Sequence, residues 1–200
     1  RALYRGIMED IYSTYTTAAT GTAFPFTDVA ESRWSYPYIK ELYDAGVVSG
    51  TSATTFSPAA NVTRAQFVTM LAGLAGADVS NCPATPFRDV PEGAWYAPYV
   101  NWALANGIVS GTSAVTFSPD ASITRQDMAV MLYSYTQRFQ VHLQQQPVTP
   151  FTDAGSIAAY AQVAVQTLQR AGVISGMPDG SFQPYGTATR EQACTMLCML

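Results

Sequence analysis

The chain has 200 residues, of which 48% are hydrophobic and only 12% charged, with a formal net charge of −4. That much apolar content excludes a disordered chain, and the weak negative charge excludes the basic footprint of a nucleic-acid binder. No apolar run approaches the ~18 residues a membrane-spanning helix needs, and with no initiator Met or signal-peptide pattern the chain reads as a mature fragment or a piece of a larger protein.

Residues 1–17 carry Tyr4, Ile7, Met8 and Ile11 at helical spacing. Arg1-Ala2-Leu3-Tyr4 lines up with Arg64-Ala65-Gln66-Phe67 further on. This segment is either the last helix of an upstream unit or, the simpler reading, a leader helix packed on the rest of the chain. Thr20 to Pro25 is a small-residue linker.

An ordered set of elements then occurs three times. Phe26-Thr27-Asp28-Val29 precedes Trp34 and a helix through Tyr38, Ile39 and Leu42 that stops at Gly46. Val47-Val48-Ser49-Gly50 leads into a loop ending Phe56-Ser57-Pro58, and Thr63-Arg64-Ala65-Gln66 opens a second helix. The second copy runs from Phe87-Arg88-Asp89-Val90 through Trp95, Gly107, Gly111 and Phe117-Ser118-Pro119 to Thr124-Arg125-Gln126-Asp127. The third runs from Phe151-Thr152-Asp153-Ala154 through Tyr160, Gly172, Gly176 and Phe182-Gln183-Pro184 to Thr189-Arg190-Glu191-Gln192. Thr63 and Thr124 are 61 residues apart, as are Gly50 and Gly111, and the next spacing is 65 for both. Such constancy marks a tandem repeat whose units are too small to bury their own faces and lean on their neighbours. The expected division is 1–23 leader helix and linker, 24–80 first repeat, 81–146 second repeat with its linker, and 147–200 third repeat.

Each second helix shows one apolar stripe: Phe67, Met70, Leu71 and Leu74; then Met128, Met131, Leu132 and Tyr135; then Ala193, Met196, Leu197 and Leu200. The Thr is an N-cap, and Gln66, Asp127 or Gln192 stands three places on, as in a capping box. The Arg between them is the anomaly, because a cation in the first turn faces the positive end of the helix macrodipole. Lys40 is the one lysine, so nine of the ten Lys and Arg residues are Arg, and three of those nine fall in this register. An anionic partner is expected there. Backbone N–H groups at a helix start together with a guanidinium suit a carboxylate; the blander alternative is a capped helix with a solvated Arg.

These residues resemble the S-layer homology family over nearly the whole chain. Its pattern is Phe-x-Asp-Val, a Trp-led helix ending in Gly, a Gly-x-x-Asp-Gly-x-Phe-x-Pro loop, and Thr-Arg-Ala-Glu opening a second helix. Gly176-Met177-Pro178-Asp179-Gly180-Ser181-Phe182-Gln183-Pro184 matches the loop in full, whereas the first two copies have Thr51-Ser52-Ala53 and Thr112-Ser113-Ala114 at its centre. The resemblance implies a mainly α fold with long loops, in which three repeats sit in pseudo-threefold arrangement around a central helical bundle. It also implies a non-catalytic anchor that binds an anionic, pyruvate-bearing secondary cell-wall polysaccharide in grooves between repeats, at the bacterial cell surface, with no cofactor. Arg64, Arg125 and Arg190 would meet the sugar, with Gln66, Asp127 and Gln192 beside them. The departures from Glu at those last three positions, Tyr160 in place of a third Trp, and the Asp missing from the first two loops predict three related sites that need not be equally used.

Other readings remain open. Trp34, Trp95 and Tyr160 are sugar-stacking faces or, the reading favoured for aromatics at a helix start, core anchors; Trp102, which has no counterpart, is a packing residue. Thr51, Ser52, Thr112, Ser113 and Asp179 are groove contacts or turn formers. Asp28, Asp89 and Asp153 read as local turn acceptors. Cys194 and Cys198 lie four apart on one helix, an awkward span for a disulfide, and read as buried thiols. With one His in a Gln-rich linker and no metal-ligand spacing, enzyme readings fare badly. The competing functions are a protein-interaction or assembly module, which would take other surface-layer proteins as partners, and a peptidoglycan-binding variant.

Overall fold

The computed structural model describes residues 23–200, so the expected leader helix lies outside the described residues. Six α-helices follow: α1 (Tyr36–Asp44), α2 (Arg64–Leu74), α3 (Ala97–Ala105), α4 (Arg125–Arg138), α5 (Gln162–Arg170) and α6 (Arg190–Cys198). Short 3-10 turns at Ala154–Ser156 and Ala159–Ala161 lead into α5, and among the described residues the only extended pairing is a set of isolated bridges. The protein is mainly α, with long loops between the helices.

The odd-numbered helices are the repeat leaders. Pro stands in the first turn of α1 and α3, where its missing N–H costs nothing. Each leader is followed by Gly46, Gly107 or Gly172 at φ of +71°, +68° and +73°, the left-handed stop that a side chain adopts only with strain. The next glycine of each repeat answers to a different constraint. A Cβ on Gly50, Gly111 or Gly176 would stand 2.4 to 2.9 Å from the ring of Phe26, Phe87 or Phe151, so the loop can fold against its own leading Phe only at glycine.

The leading Asp completes this local unit. Asp28 accepts the N–H groups of Phe56 and Ser57 at 2.9 and 2.7 Å. Asp89 does the same for Phe117 and Ser118, and Asp153 for Phe182 and Gln183. The middle residue of each Phe-x-Pro turn lies in the left-handed region, at φ of 58°, 59° and 56° for Ser57, Ser118 and Gln183. Two charge-assisted bonds therefore hold a backbone conformation that a non-glycine residue would otherwise avoid. These three carboxylates are turn acceptors, as their position suggested.

Between repeats the packing is cyclic. α3 lies on α2 and α5 on α4, so each leader packs on the second helix of the preceding repeat, and α1 lies on α6, which closes the ring. At the centre, Ile123 N–H donates to the Val62 carbonyl (3.0 Å), Ala188 N–H to that of Ile123 (3.4 Å), and Val62 N–H to that of Ala188 (3.0 Å). α2 also touches α4 and α6, while the starts of α4 and α6 are joined through the Thr124–Thr187 bridge.

The apolar stripes line the core, with Phe67, Leu71, Met128, Leu132, Ala193 and Leu197 buried and Leu74 half-buried. Trp102 is buried and stacks on Phe139, as a packing residue should. The core-anchor reading of the leading aromatics is overturned, because Trp34, Trp95 and Tyr160 are 56%, 59% and 62% exposed. The inward position at each leader start is taken by the following residue, Ser35, Tyr96 or Ala161, all buried. Cys82, Cys194 and Cys198 are free thiols. Burial pushes the Cys194 thiol up to about 12 and raises that of Cys198 as well, so neither is poised to react.

Candidate functional site

The capped helices α2, α4 and α6 begin at the repeat junctions, and their first N–H groups are already spoken for. Arg64 and Ala65 N–H donate to the carbonyls of Ala121 and Pro119 of the next repeat. Arg125 and Gln126 donate to Gly186 and Pro184, and Arg190 and Glu191 to Ala60 and Pro58. The third-position N–H goes to the N-cap hydroxyl of Thr63, Thr124 or Thr189. The expected carboxylate cradle of helix-start N–H groups is therefore corrected, since neighbouring carbonyls fill it.

The arginine side chains follow the same route. Arg64 Nε donates to the Phe117 carbonyl at 2.8 Å and Nη2 to that of Ser110 at 3.4 Å. Arg125 reaches Phe182 (2.7 Å) and Ser175 (3.2 Å), and Arg190 reaches Phe56 and Ser49 (both 2.9 Å). Each guanidinium also lies over the ring of that Phe, at 4.8, 5.0 and 4.4 Å. With 6%, 4% and 5% exposure they are not solvated caps. Burial lowers all three pKa values, opposed chiefly by Asp127 at Arg64, Asp153 at Arg125 and Cys194 at Arg190; arginine remains charged throughout. The dipole anomaly thus has an internal answer, because each cation sits among carbonyl oxygens of the adjoining repeat.

One guanidinium nitrogen is left over. Nη1 of Arg64 meets Asp127 Oδ2 at 3.3 Å. For Arg125 and Arg190, Nη1 has no acceptor among the described residues and is not buried without a partner.

The fourth motif position splits in the same way. Gln66 and Gln192 complete their capping boxes, accepting the N–H of Thr63 and Thr189 at 3.1 and 3.0 Å. Asp127 does not. Its carboxylate faces the neighbours instead and accepts the Tyr160 hydroxyl at 2.7 Å as well as the Arg64 bond. All three were expected to serve as helix-start acceptors, with the shorter Asp127 reaching less far; one methylene short, it does not close the box at all. Although most of the Tyr160 side chain is exposed, loss of solvent around its hydroxyl, then the Asp127 hydrogen bond and charge, push the phenol up to about 12.

Tyr160 therefore stands with Arg64 and Asp127 at one junction. The cyclic packing relates it to Trp34 beside α6, at the junction of Arg125 and Gln192, and to Trp95 beside α2, at the junction of Arg190 and Gln66. Thr51 and Ser52 spend their hydroxyls within their own loop, on Thr55 and Ser57. Thr112 and Ser113 repeat this with Thr116 and Ser118, and Asp179 binds the N–H and hydroxyl of Ser181. The loops thus meet the neighbouring Arg through backbone carbonyls rather than through these side chains.

A further cluster escaped the sequence reading. Arg33 binds Glu191 through two bonds, Nε to Oε2 at 2.7 Å and Nη2 to Oε1 at 2.9 Å, and Ser35 Oγ donates to Oε2 at 2.6 Å. Gln126, in the position of Glu191, accepts the N–H of Ala158. Second place in these helices thus docks the following leader. Repeat alignment puts Ala65 there in the first copy, which hid the pattern.

The profile described as the S-layer homology domain matches residues 25–68, 86–129 and 150–194, one stretch per repeat. The chain belongs to the S-layer homology family. An endoglucanase of Bacillus sp. (strain KSM-635) is 39% identical over 191 residues, which cover 94% of this chain and 20% of that protein. An S-layer protein of Bacillus thuringiensis subsp. finitimus is 27% identical over 90% of this chain and 21% of its own length. A cellulosome-anchoring protein of Acetivibrio thermocellus is 28% identical over 76% of this chain and 35% of its own. The chain spans only 20% to 35% of these relatives. S-layer homology modules attach surface proteins to the cell wall, and membership places this one at the bacterial cell surface. No helix among the described residues is long and apolar enough to cross a membrane.

Proposed function

We propose that this S-layer homology chain is a non-catalytic wall anchor whose inter-repeat grooves bind an anionic, pyruvate-bearing secondary wall polysaccharide. The observation that carries this reading is the Nη1 of Arg125 and Arg190, a charged donor that meets no acceptor among the described residues, at junctions where repeat equivalence puts the exposed Trp34 and Trp95. A guanidinium fixed by two carbonyls is pre-organised, so a sugar carboxylate meets it with little loss of freedom. An indole face alongside covers the apolar side of a sugar ring. Gln66 and Gln192 border the same grooves, while the loops at Thr51, Ser52, Thr112, Ser113 and Asp179 set their rims.

The deciding experiment is sedimentation with purified cell wall before and after extraction of its anionic polymer. Binding is expected to intact wall and to fall on extraction, and Trp34→Ala with Trp95→Ala should weaken it without unfolding, since both side chains are exposed. Equal binding to stripped wall would overturn the reading in favour of peptidoglycan. Binding only in the presence of another surface protein would replace it by an assembly role.

A further inference from the structure

The three junctions are built alike, yet one differs at two positions that touch each other. Where Gln66 and Gln192 face Trp95 and Trp34 across the cyclic arrangement, the remaining junction has Asp127 facing Tyr160. Both changes are needed for what is seen there. Asp127 is too short for the capping box and its carboxylate projects outward, and Tyr160 supplies a hydroxyl that an indole at this position lacks. The carboxylate accepts from Tyr160 at 2.7 Å and from Arg64 Nη1 at 3.3 Å. Arg64 is thereby the one motif arginine among the described residues whose third nitrogen ends on a protein carboxylate.

We propose that Asp127 stands in for the ligand carboxylate at the Arg64 groove, so that this groove is self-occupied and the chain holds wall polymer through the grooves of Arg125 and Arg190 alone. This deepens the anionic-polysaccharide reading and rests on it. An incoming carboxylate would find a neutral ion pair instead of a free cation, and would meet the repulsion of Asp127. It could reach Arg64 only by displacing a carboxylate held on both sides by Tyr160 and the guanidinium. Losing one charge-assisted hydrogen bond corresponds to about ten- to a hundredfold in affinity. Asp127→Gln restores the residue used by the other two copies, and Tyr160→Trp restores their aromatic.

The test is calorimetric titration of the full 200-residue chain with a monovalent probe, the methyl glycoside of a pyruvate-ketal N-acetylhexosamine. Two sites are expected in the native protein, and three in Asp127→Gln carrying Tyr160→Trp, with circular dichroism showing the variant folded. Three sites of similar affinity in the native protein would overturn the inference while leaving the anionic-sugar reading intact. A folded variant that stays at two sites would do the same. Absence of heat from either protein would sink the sugar reading and this inference with it. A second measurement needs no sugar. The Tyr160 phenol, which faces Asp127, Arg64 and Tyr185, should ionise at about 12 in the native chain and at lower pH in Asp127→Gln. Loss of solvent raises the phenol as well, so the difference is the readout: ionisation at the same pH in both proteins would mean that the bridge is not held, and would overturn the inference by itself.

Discussion

At the scale of single residues, the motif arginine is first a closing bolt between repeats. Arg190 satisfies the carbonyls of Phe56 and Ser49 and lies on the Phe56 ring, linking the last repeat to the first. Arg190→Ala removes two charge-assisted bonds and leaves both carbonyls short of a donor, so a loss of at least about 3 kcal/mol is expected in denaturant titration. Arg190→Lys should recover little, because an ammonium cannot span the two acceptors as a planar guanidinium does. A lost wall interaction in an arginine variant is therefore ambiguous unless stability is measured beside it, which is why exposed Trp34 and Trp95 are the better probes of binding. The Arg33–Glu191 pair supplies a pH dependence. Burial alone would raise the Glu191 pKa, but the hydrogen bonds from Arg33 and Ser35 outweigh it and hold the carboxylate below its ordinary 4.5. A depressed folded-state value means stability that is present above about 4.5 and lost as pH falls through the lower folded value. The melting temperature of the native protein should fall on that acid limb more steeply than that of Glu191→Gln, and parallel curves would show the pair to be inert.

At the scale of elements, the Phe-x-Pro turn offers a cleaner substitution. Gln183 holds a φ of 56° and is bonded through its backbone, its N–H to Asp153 and its carbonyl from the Gly186 N–H, so Gln183→Gly relieves left-handed strain without removing a side-chain bond. A gain of about 0.5–1 kcal/mol is expected, the backbone strain relieved being partly offset by the freedom glycine adds to the unfolded chain. Thermal denaturation that showed no gain would mean that the turn bears no such strain. The same elements show how much was legible beforehand. Caps, glycine stops and apolar stripes are local patterns, and Thr63, Gly46 and Phe67 announced them in order. The register of repeats placed the three arginines as equivalents, and the family resemblance carried by those motifs implied the fold class. What could not be read was direction. Nothing in Thr63-Arg64-Ala65-Gln66 says that Arg64 points across to Phe117, or that the helix-start N–H groups are used up there. Trp34 was misjudged for a related reason. It precedes the helix by two places, and the buried slot at that junction belongs to Ser35, whose hydroxyl is satisfied by Glu191 from the far end of the chain.

At the scale of the whole molecule, a closed ring behaves differently from an open stack of repeats. An open array needs distinct end caps because its terminal faces lack a neighbour. Here α6 covers α1, and Arg190, Glu191 and Ala188 each bond to the first repeat, so every repeat has two neighbours. Ile39 and Leu42 on α1, the helix that packs on α6, are fully buried, and side chains of that kind are worth roughly 1.5–3 kcal/mol each when sealed from water. Removing residues 147–200 would strip the partner from α1 and also take α5 from α4, exposing apolar faces at both ends of what remains. The shortened chain is expected to lose cooperative unfolding, with a broad thermal transition and bound hydrophobic dye at room temperature. The intact protein should unfold in one transition, seen alike in far-ultraviolet ellipticity and in tryptophan fluorescence from Trp34, Trp95 and Trp102, which sit in the first two repeats. Separate transitions for the two signals would mean that the repeats unfold independently and that closure adds little. Wall binding should follow the same rule, because both grooves assigned to the polymer include side chains from the first and third repeats, and neither can assemble in a chain that stops at 146.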